Sequence, residues 1–170
     1  MAYRLNQKKK SIVVAIHVLS VASWIGGTLG MLLLAFYLQH AANGEQLLYT
    51  LTSMEVIDEN LLKYPALLTL LTGIMLSVWT QWGLVKHYWV IIKFELTVLT
   101  IMIGILFLNK WTAGLAIMIE DMGLLALQDS QFQTTWISII ITSSFNLLCL
   151  TFMTFITYFK PFGKVKKYRK

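Results

Sequence analysis

The sequence has little of what soluble enzymes and secreted domains depend on. Its 170 residues include one cysteine, Cys149, and two prolines, and only 13% of them are charged. A single cysteine excludes an intramolecular disulfide and a cysteine metal cluster. The chain also lacks a phosphate-binding loop and a His-x-x-x-His pair, and no nucleophile has a base at a convincing spacing. These absences argue against a soluble active site.

Long apolar runs are what the sequence has instead. Hydrophobic residues make up 57% of the chain, and four segments are long enough to cross the roughly 30 Å hydrocarbon layer of a bilayer. We predict an all-α fold, a polytopic membrane four-helix bundle, in which residues 1–170 form a single membrane domain surrounded by lipid. The predicted transmembrane helices cover residues of about 11–38, 63–82, 87–109 and 132–159.

Charge gives the predicted orientation of these helices. The net charge is +6, and 11 of the 14 basic residues lie at the two termini or in the connector near Lys86, whereas 7 of the 8 acids lie in the connectors 39–62 and 110–131. Because cytoplasmic loops carry an excess of lysine and arginine, we predict cytoplasmic termini and two external acidic connectors, each with a short surface helix. This arrangement explains the basic charge without nucleic acid as a partner. The terminal basic residues are Arg4, Lys8, Lys9, Lys10, Lys160, Lys164, Lys166, Lys167, Arg169 and Lys170.

Two predicted helices carry a polar stripe within their apolar surface. At 100° per residue, the aligned residues are His17, Ser20, Trp24 and Thr28 in the first segment and Trp89, Lys93, Thr97 and Thr100 in the third. His17 and Lys93 each lie six residues inward from the cytoplasmic end of their helix, a depth of roughly 9 Å. Thr154 on the fourth helix falls at the same level. We therefore predict that the imidazole and the amine meet inside the bundle.

Both of these residues also have a simpler interpretation. Lysine has a long flexible side chain, so Lys93 can extend to the cytoplasmic interface instead of facing an internal site. His17 can be a hydrogen-bonded core histidine without a ligand. On the fourth helix, Asn146 lies on the face that is suited to the bundle interior, and we predict that it packs there.

Glu95 and a strip of small residues point away from the proposed internal site. Glu95 lies about 200° around its helix from Lys93, so the two charges cannot pair within that helix. Its carboxyl group must meet another helix or a partner subunit, or be protonated. Ala22, Gly26 and Gly30 recur at four-residue spacing on the far side of the first helix. This pattern allows close helix packing within the chain, in a homo-oligomer or against a partner membrane subunit.

Three motifs resemble a known group of membrane proteins. They are HVLSVASWIGG in the first helix, PALLTLLTGIML in the second and WGLVKHYWVIIK at the start of the third. Together they resemble the small four-helix bacterial membrane proteins of the CopD and HemJ type. The HemJ-type proteins are protoporphyrinogen oxidases associated with b-type haem, with a functionally important histidine on the first helix and lysine on the third. Matched by motif, these residues are His17, followed by Trp24, and Lys93, preceded by Trp89. The resemblance also implies a bacterial inner membrane.

Three functions follow from these patterns, and the first is favoured. In the first, the protein is a haem- or porphyrin-linked redox protein, in which His17 is an axial ligand of haem b iron or a proton relay and Lys93 holds a propionate or takes up a proton. Trp24 and Trp89 then belong to the cofactor-binding site. In the second, it is a non-catalytic scaffold or accessory subunit that docks through Glu95 and the small-residue strip. In the third, thioether and imidazole groups on the external side handle copper, namely those of Met31, His40, Met54, Met118 and Met122.

Overall fold

The fold was obtained as a computed structural model that describes residues 6–165 and 167. Within this part of the chain the structure is helical, and its only β-type pairing is an isolated bridge between His87 and Lys164. The all-α fold class is therefore confirmed. Four of the basic residues behind the predicted orientation lie outside the described residues, namely Arg4, Lys166, Arg169 and Lys170.

Six α-helices make up four long helical runs. The helices are α1 (Gln7–Leu38), α2 (Gly44–Ile57), α3 (Tyr64–Trp79), α4 (Tyr88–Ile103), α5 (Asn109–Met122) and α6 (Ser130–Phe159). A π-helical turn, Asp58–Lys63, joins α2 to α3, and a second one, Gly104–Leu108, joins α4 to α5. The described residues thus contain four helical runs that are long and apolar enough to cross a membrane.

The two acidic connectors are continuous with the neighbouring helices. The run Gly44–Trp79 has 36 residues, which corresponds to about 54 Å of helix. Residue 63 is therefore a point inside a helix, whereas the sequence predicts a span that begins there. The π turn comes directly before Pro65. Proline has no backbone N–H and its ring displaces the preceding turn, so a wider turn lets the helix continue past it.

Side-chain caps fix where three of the runs begin. The side chain of Asn6 accepts a hydrogen bond from the backbone N–H of Lys9 at the start of α1, and Asn43 caps α2 through Gln46. Asp129 begins α6 by accepting from the backbone N–H groups of the second and third residues that follow it. These residue types are the preferred N-caps because their short polar side chains satisfy free backbone donors.

The runs are antiparallel, so the bundle has two distinct ends. The terminal half contains both described chain ends and the loop 80–87, and the backbone N–H of Val165 donates to the Lys86 carbonyl there at 3.0 Å. The connector half contains α2, α5 and the adjoining ends of α1 and α6. In that half the indole N–H of Trp136 on α6 donates to the Ala35 carbonyl on α1 at 2.7 Å.

The connector half holds the main hydrophobic core. Phe132 and Leu47 are completely buried there, and the core consists of Met31, Ala35, Leu38, Leu47, Leu51, Met54, Leu108, Leu115, Ile119, Ala126, Phe132 and Ile139. These residues come from α1, α2, α5, α6 and the turns beside them. The acidic connectors therefore contribute the largest apolar cluster of the bundle, because each connector helix turns its apolar side inward.

Among the described glycines of the helices, Gly27 has the least space for a side chain. A Cβ atom at this position would lie 2.6 Å from Leu62 Cδ1 and 3.0 Å from the Leu61 carbonyl oxygen, which is closer than packed atoms come. At Gly26 an added Cβ would meet nothing within 4 Å, and at Gly30 it would make an ordinary contact of 3.5 Å with Ile57. Close packing within the chain therefore depends on Gly27, whereas the sequence pattern indicates Gly26 and Gly30.

Candidate functional site

A cavity of about 540 Å³ lies in the terminal half. All four helical runs line it, and most of its wall is apolar, with contributions from Val21, Leu70 and Ile74. A volume of this size is within the usual range of ligand pockets. The cavity also contains both residues that the polar stripes single out, His17 and Lys93. The stripes of α1 and α4 therefore face the same internal space.

His17 is held by a hydroxyl group of α3. Its Nδ1 atom lies 2.8 Å from Thr72 Oγ1, and the Thr72 hydroxyl lies 2.6 Å from the Leu68 carbonyl, to which it donates. A hydroxyl has a single proton, so Thr72 accepts a hydrogen bond from Nδ1–H of His17. The other ring nitrogen, Nε2, then carries a lone pair. This is the arrangement in which a histidine can bind a metal or accept a proton.

Gly73 lies beside the imidazole ring of His17. A Cβ atom at this position would lie 3.5 Å from His17 Cε1, in ordinary van der Waals contact. Any larger side chain at this position would extend into the volume beside the ring, because both residues line the cavity. The pair Thr72 and Gly73 therefore both orients His17 and leaves one side of it open.

Lys93 is held in the same way by α6. Its Nζ atom donates to Thr157 Oγ1 at 2.7 Å, and the Thr157 hydroxyl donates to the Met153 carbonyl at 2.9 Å. An ammonium group has three N–H bonds, so two remain for a ligand. Thr157 lies about one helical turn from Thr154, the residue that was expected at the level of Lys93. The difference arises because helical side chains tilt toward the N-terminus of their helix, which carries the Lys93 amine toward the terminal end of the bundle.

The two predicted tryptophans form part of the cavity wall. Trp24 is buried in a cluster with Ala66, Leu150 and Met153. Trp89 is buried nearer the loop 80–87, where its ring contacts the edge of Trp82 at a centroid distance of 5.2 Å. Both are rigid apolar surfaces beside the charged groups, so they reduce the access of water to the site.

The deep part of the cavity has an unpaired hydroxyl. Thr69 is 6% exposed and lines the cavity, and its Oγ1 has no hydrogen-bond partner among the described residues. Asn146 is 7% exposed, and its Oδ1 atom likewise has no hydrogen-bond partner within the part of the chain that the structure describes. Asn146 thus lies inside the bundle, as its helix face predicts. An unpaired buried polar atom costs free energy, so Thr69 is a ready partner for a polar group of a ligand.

Several lining residues were not found from the sequence. Lys10 and Lys160 lie at the ends of α1 and α6 that adjoin the terminal half, and both line the cavity. Lys160 also lies over the ring of Trp82, with Nζ 4.8 Å from the ring centroid. In the sequence these lysines are indistinguishable from the other basic residues of the termini. Their place at the cavity depends on the antiparallel packing of the ends.

Glu95 and His87 lie away from the cavity, since neither belongs to its lining. Glu95 is exposed on α4, and its carboxylate has no hydrogen bond or ion pair with any other described residue. His87, which stands at the start of the same helix, is engaged with the loop through a 2.7 Å contact between Nδ1 and the Trp82 carbonyl. Glu95 and Lys93 are thus separated, as their positions around the helix predict.

The proposed copper ligands do not form a site with other classical ligands. Met31 and Met54 are part of the core of the connector half, and Met118 packs against it, whereas His40 and Met122 are exposed. Among the described residues, no group of three or more histidine, cysteine, aspartate or glutamate side chains is placed to hold a metal ion. Met31, Met54 and Met118 act as core packing residues here,.

The comparisons with known proteins are negative. No protein-family model, curated protein or solved structure matches the chain.

The cavity contains two of the donor groups that a haem with a single histidine ligand would need. His17 presents one nitrogen lone pair to the cavity, and Lys93 retains N–H groups for a carboxylate. Met153 also lines the cavity, but its sulfur already accepts a hydrogen bond from Thr97 at 3.4 Å. The chemistry of this donor set therefore suits one axial bond from the protein and one ion pair to a propionate.

Proposed function

We propose that this protein is an integral protein of the bacterial inner membrane, with cytoplasmic termini, that binds haem b or a related porphyrin and serves in a redox reaction. The observation that carries the proposal is that the free nitrogen of His17 and the amine of Lys93 belong to one mostly apolar cavity. Its motif resemblance to the HemJ-type proteins supports the same cofactor.

Exposed apolar side chains support the membrane location. Leu19, Leu33 and Leu148 are 68%, 70% and 68% exposed, and they lie within the long helices α1 and α6. Apolar exposure on this scale is unfavourable in water and favourable against lipid. The basic residues of the terminal half support a cytoplasmic position for that half.

The roles of the residues follow from their hydrogen bonds. When bound, haem supplies reversible electron transfer at its iron. His17 would hold the iron through Nε2, and Thr72 would keep the ring in the required tautomer and orientation. Lys93 would bind a propionate through its two remaining N–H groups, in a site where low dielectric strengthens the pair.

The test is an absorption spectrum of the purified protein after haem supplementation. We expect a Soret band for the wild type and a changed or absent band for His17→Ala. Because His40 is an exposed histidine of the connector half, His40→Ala is the matched control and should resemble the wild type. A wild-type protein without a Soret band would contradict haem binding.

A role as an accessory subunit is favoured by one specific feature, the exposed carboxyl group of Glu95. Placed within a membrane-spanning helix, this group is costly unless it is protonated or meets a partner. Ala22 and Gly26 are also exposed, and small residues allow another helix to approach closely. We propose that a partner subunit or a second copy of the chain docks on these surfaces.

Gentle solubilisation followed by pull-down tests this second function. Glu95→Gln should weaken the association, whereas Glu120→Gln, at an exposed position on α5, should not. A wild-type protein that is monomeric, with an abundance unchanged by Glu95→Gln, would exclude it.

A further inference from the structure

The charged groups of the cavity all have the same sign. Its lining includes the amines of Lys10, Lys93 and Lys160 and no carboxylate. The three amines belong to α1, α4 and the end of α6. Opposite charge is the strongest source of selectivity that such a wall can offer. The lining therefore selects for an anion.

The amine of Lys93 can bind an anion as it stands. It uses one of its N–H bonds for Thr157, and the threonine hydroxyl is itself fixed to the Met153 carbonyl. The amine is thus positioned before a ligand arrives, with two N–H groups left. Preorganisation of this kind lowers the entropic cost of binding.

The rim of the cavity shows which kind of anion can reach this amine. Six lining residues are themselves exposed, namely Val14 (39%) and Val18 (56%) on α1 and Thr154, Thr157, Tyr158 (83%) and Lys160 on α6 and at its end. The cavity therefore opens where these two helices adjoin, at the level of His17. Within the membrane proposed above, this lateral opening faces acyl chains, and its edge combines apolar side chains with the hydroxyls of Thr154 and Thr157 and the amine of Lys160. A ligand that passes it must be soluble in the bilayer.

We propose that the cavity takes an amphipathic carboxylate from the membrane, which passes between α1 and α6 and places its acid at Lys93. The apolar part of the ligand lies against Val21, Leu70 and Ile74, while Lys10 and Lys160 draw the acid to the terminal half. The inference rests on the membrane insertion proposed above, and none of these contacts involves a metal. It uses the amine of Lys93 that the haem proposal assigns to a propionate, so the acid and haem would be alternative ligands of the cavity.

Photolabelling in nanodiscs of zwitterionic lipid tests the inference. The probes are an 18-carbon fatty acid with a mid-chain diazirine and the methyl ester of the same molecule, and the labelled residues are mapped by mass spectrometry. For the wild type we expect the acid to label Leu70 and Ile74 about tenfold more than the ester does, since a hydrogen bond to a charged group contributes roughly a tenfold gain in affinity.

Variants separate the charge of Lys93 from its structural role. Lys93→Gln should reduce labelling by the acid to the level of the ester, and Lys93→Arg, which keeps the charge, should retain most of it. Lys110→Gln, at an exposed position on α5, should leave labelling unchanged. Val18→Trp narrows the opening at an exposed position and should slow labelling without affecting the fold.

The outcomes distinguish this inference from the proposed function. Equal labelling of Leu70 and Ile74 by the acid and the ester in the wild type would overturn the inference even if every variant failed to fold. Haem binding without selective labelling by the acid would leave the haem proposal intact and remove this one. Selective labelling by the acid without a Soret band would support this inference and contradict the haem proposal. Failure of the protein to enter nanodiscs would contradict the membrane location.

Discussion

The two halves of the bundle differ in how the space between their helices is filled. In the connector half, twelve buried apolar residues fill the space between the helices. In the terminal half, the space between the same helical runs is a cavity that contains an imidazole, three amines and several hydroxyls. The difference shows that long apolar segments do not by themselves define a core. The positions of a few polar residues determine whether the space between the helices is filled by apolar side chains or remains a cavity.

Threonines account for much of this difference. Thr72 and Thr157 each donate a hydrogen bond to a carbonyl of their own helix and accept one from His17 or Lys93. In an apolar interior a polar side chain needs such a partner. The terminal half thus bears a histidine and a lysine in its interior because neighbouring helices supply fixed acceptors at the right level.

The largest expected effect is loss of packing in the connector half. Phe132 is completely buried in the core, so Phe132→Ala should lower the free energy of unfolding by about 3 kcal/mol or more. Phe145 is on the same helix but 44% exposed, so Phe145→Ala should have a much smaller effect. Unfolding in mixed micelles as the fraction of denaturing detergent rises would measure both. Equal losses would mean that the connector half is not the stabilising region.

A second prediction compares two adjacent glycines. Gly27→Ala should lower the free energy of unfolding by about 1–3 kcal/mol, because the added methyl group overlaps Leu61 and Leu62,. Gly26→Ala should be nearly neutral for the isolated chain, since its surroundings are open. The same unfolding measurement applies. If Gly26→Ala is the more harmful change, a partner helix packs at Gly26 and the contact at Gly27 is less important than its distances indicate.

The third prediction concerns the orientation of His17. Thr72→Val removes the acceptor of the Nδ1–H bond, so the ring should no longer be confined to one tautomer, and stability should fall by only about 1 kcal/mol. Thr72→Ser should retain the wild-type tautomer. Nitrogen NMR of protein labelled at histidine would report the protonated atom. Thr52→Val, at an exposed threonine bonded to the Leu48 carbonyl, should leave the His17 signal unchanged, and a wild-type ring protonated at Nε2 would contradict the assignment.

The smallest expected effect distinguishes two buried threonines. Thr69→Val removes an unpaired hydroxyl and should be neutral or stabilising by up to about 1 kcal/mol,. Thr100→Val removes a hydroxyl that donates to the Leu96 carbonyl at 2.9 Å and should destabilise by about 1 kcal/mol. Thermal unfolding of the two variants in one detergent would test this order. If Thr69→Val is the more harmful, its hydroxyl has a partner that the described contacts do not include.

The interior faces of the helices could be predicted from the sequence. Ser20 and Thr28 are buried on α1, Thr97 and Thr100 are buried on α4, and Asn146 is buried on α6. In segments that are apolar all round, a polar stripe is the main sign of which side turns inward. This signal was sufficient to select His17 and Lys93, which line one cavity.

Other features depend on tertiary contacts that the sequence does not encode locally. The sequence did not predict that the helix continues through Asp58 and Glu59, because hydropathy falls at these two acids. The neighbouring residues nevertheless favour a helix. The choice of Thr157 over Thr154 depends on the tilt of the Lys93 side chain. The close approach at Gly27 depends on which of two adjacent glycines faces the turn before α3, and spacing alone does not distinguish them.

The most direct test of the account is a haem titration of four variants chosen as two matched pairs. His17→Ala and Lys93→Gln change the terminal half, whereas His40→Ala and Lys110→Gln make the same changes at exposed positions of the connector half. We predict that the first pair loses haem affinity and that the second pair binds as the wild type does. If the first pair binds haem as tightly as the wild type, or the second pair loses as much affinity, the cavity of the terminal half is not the binding site.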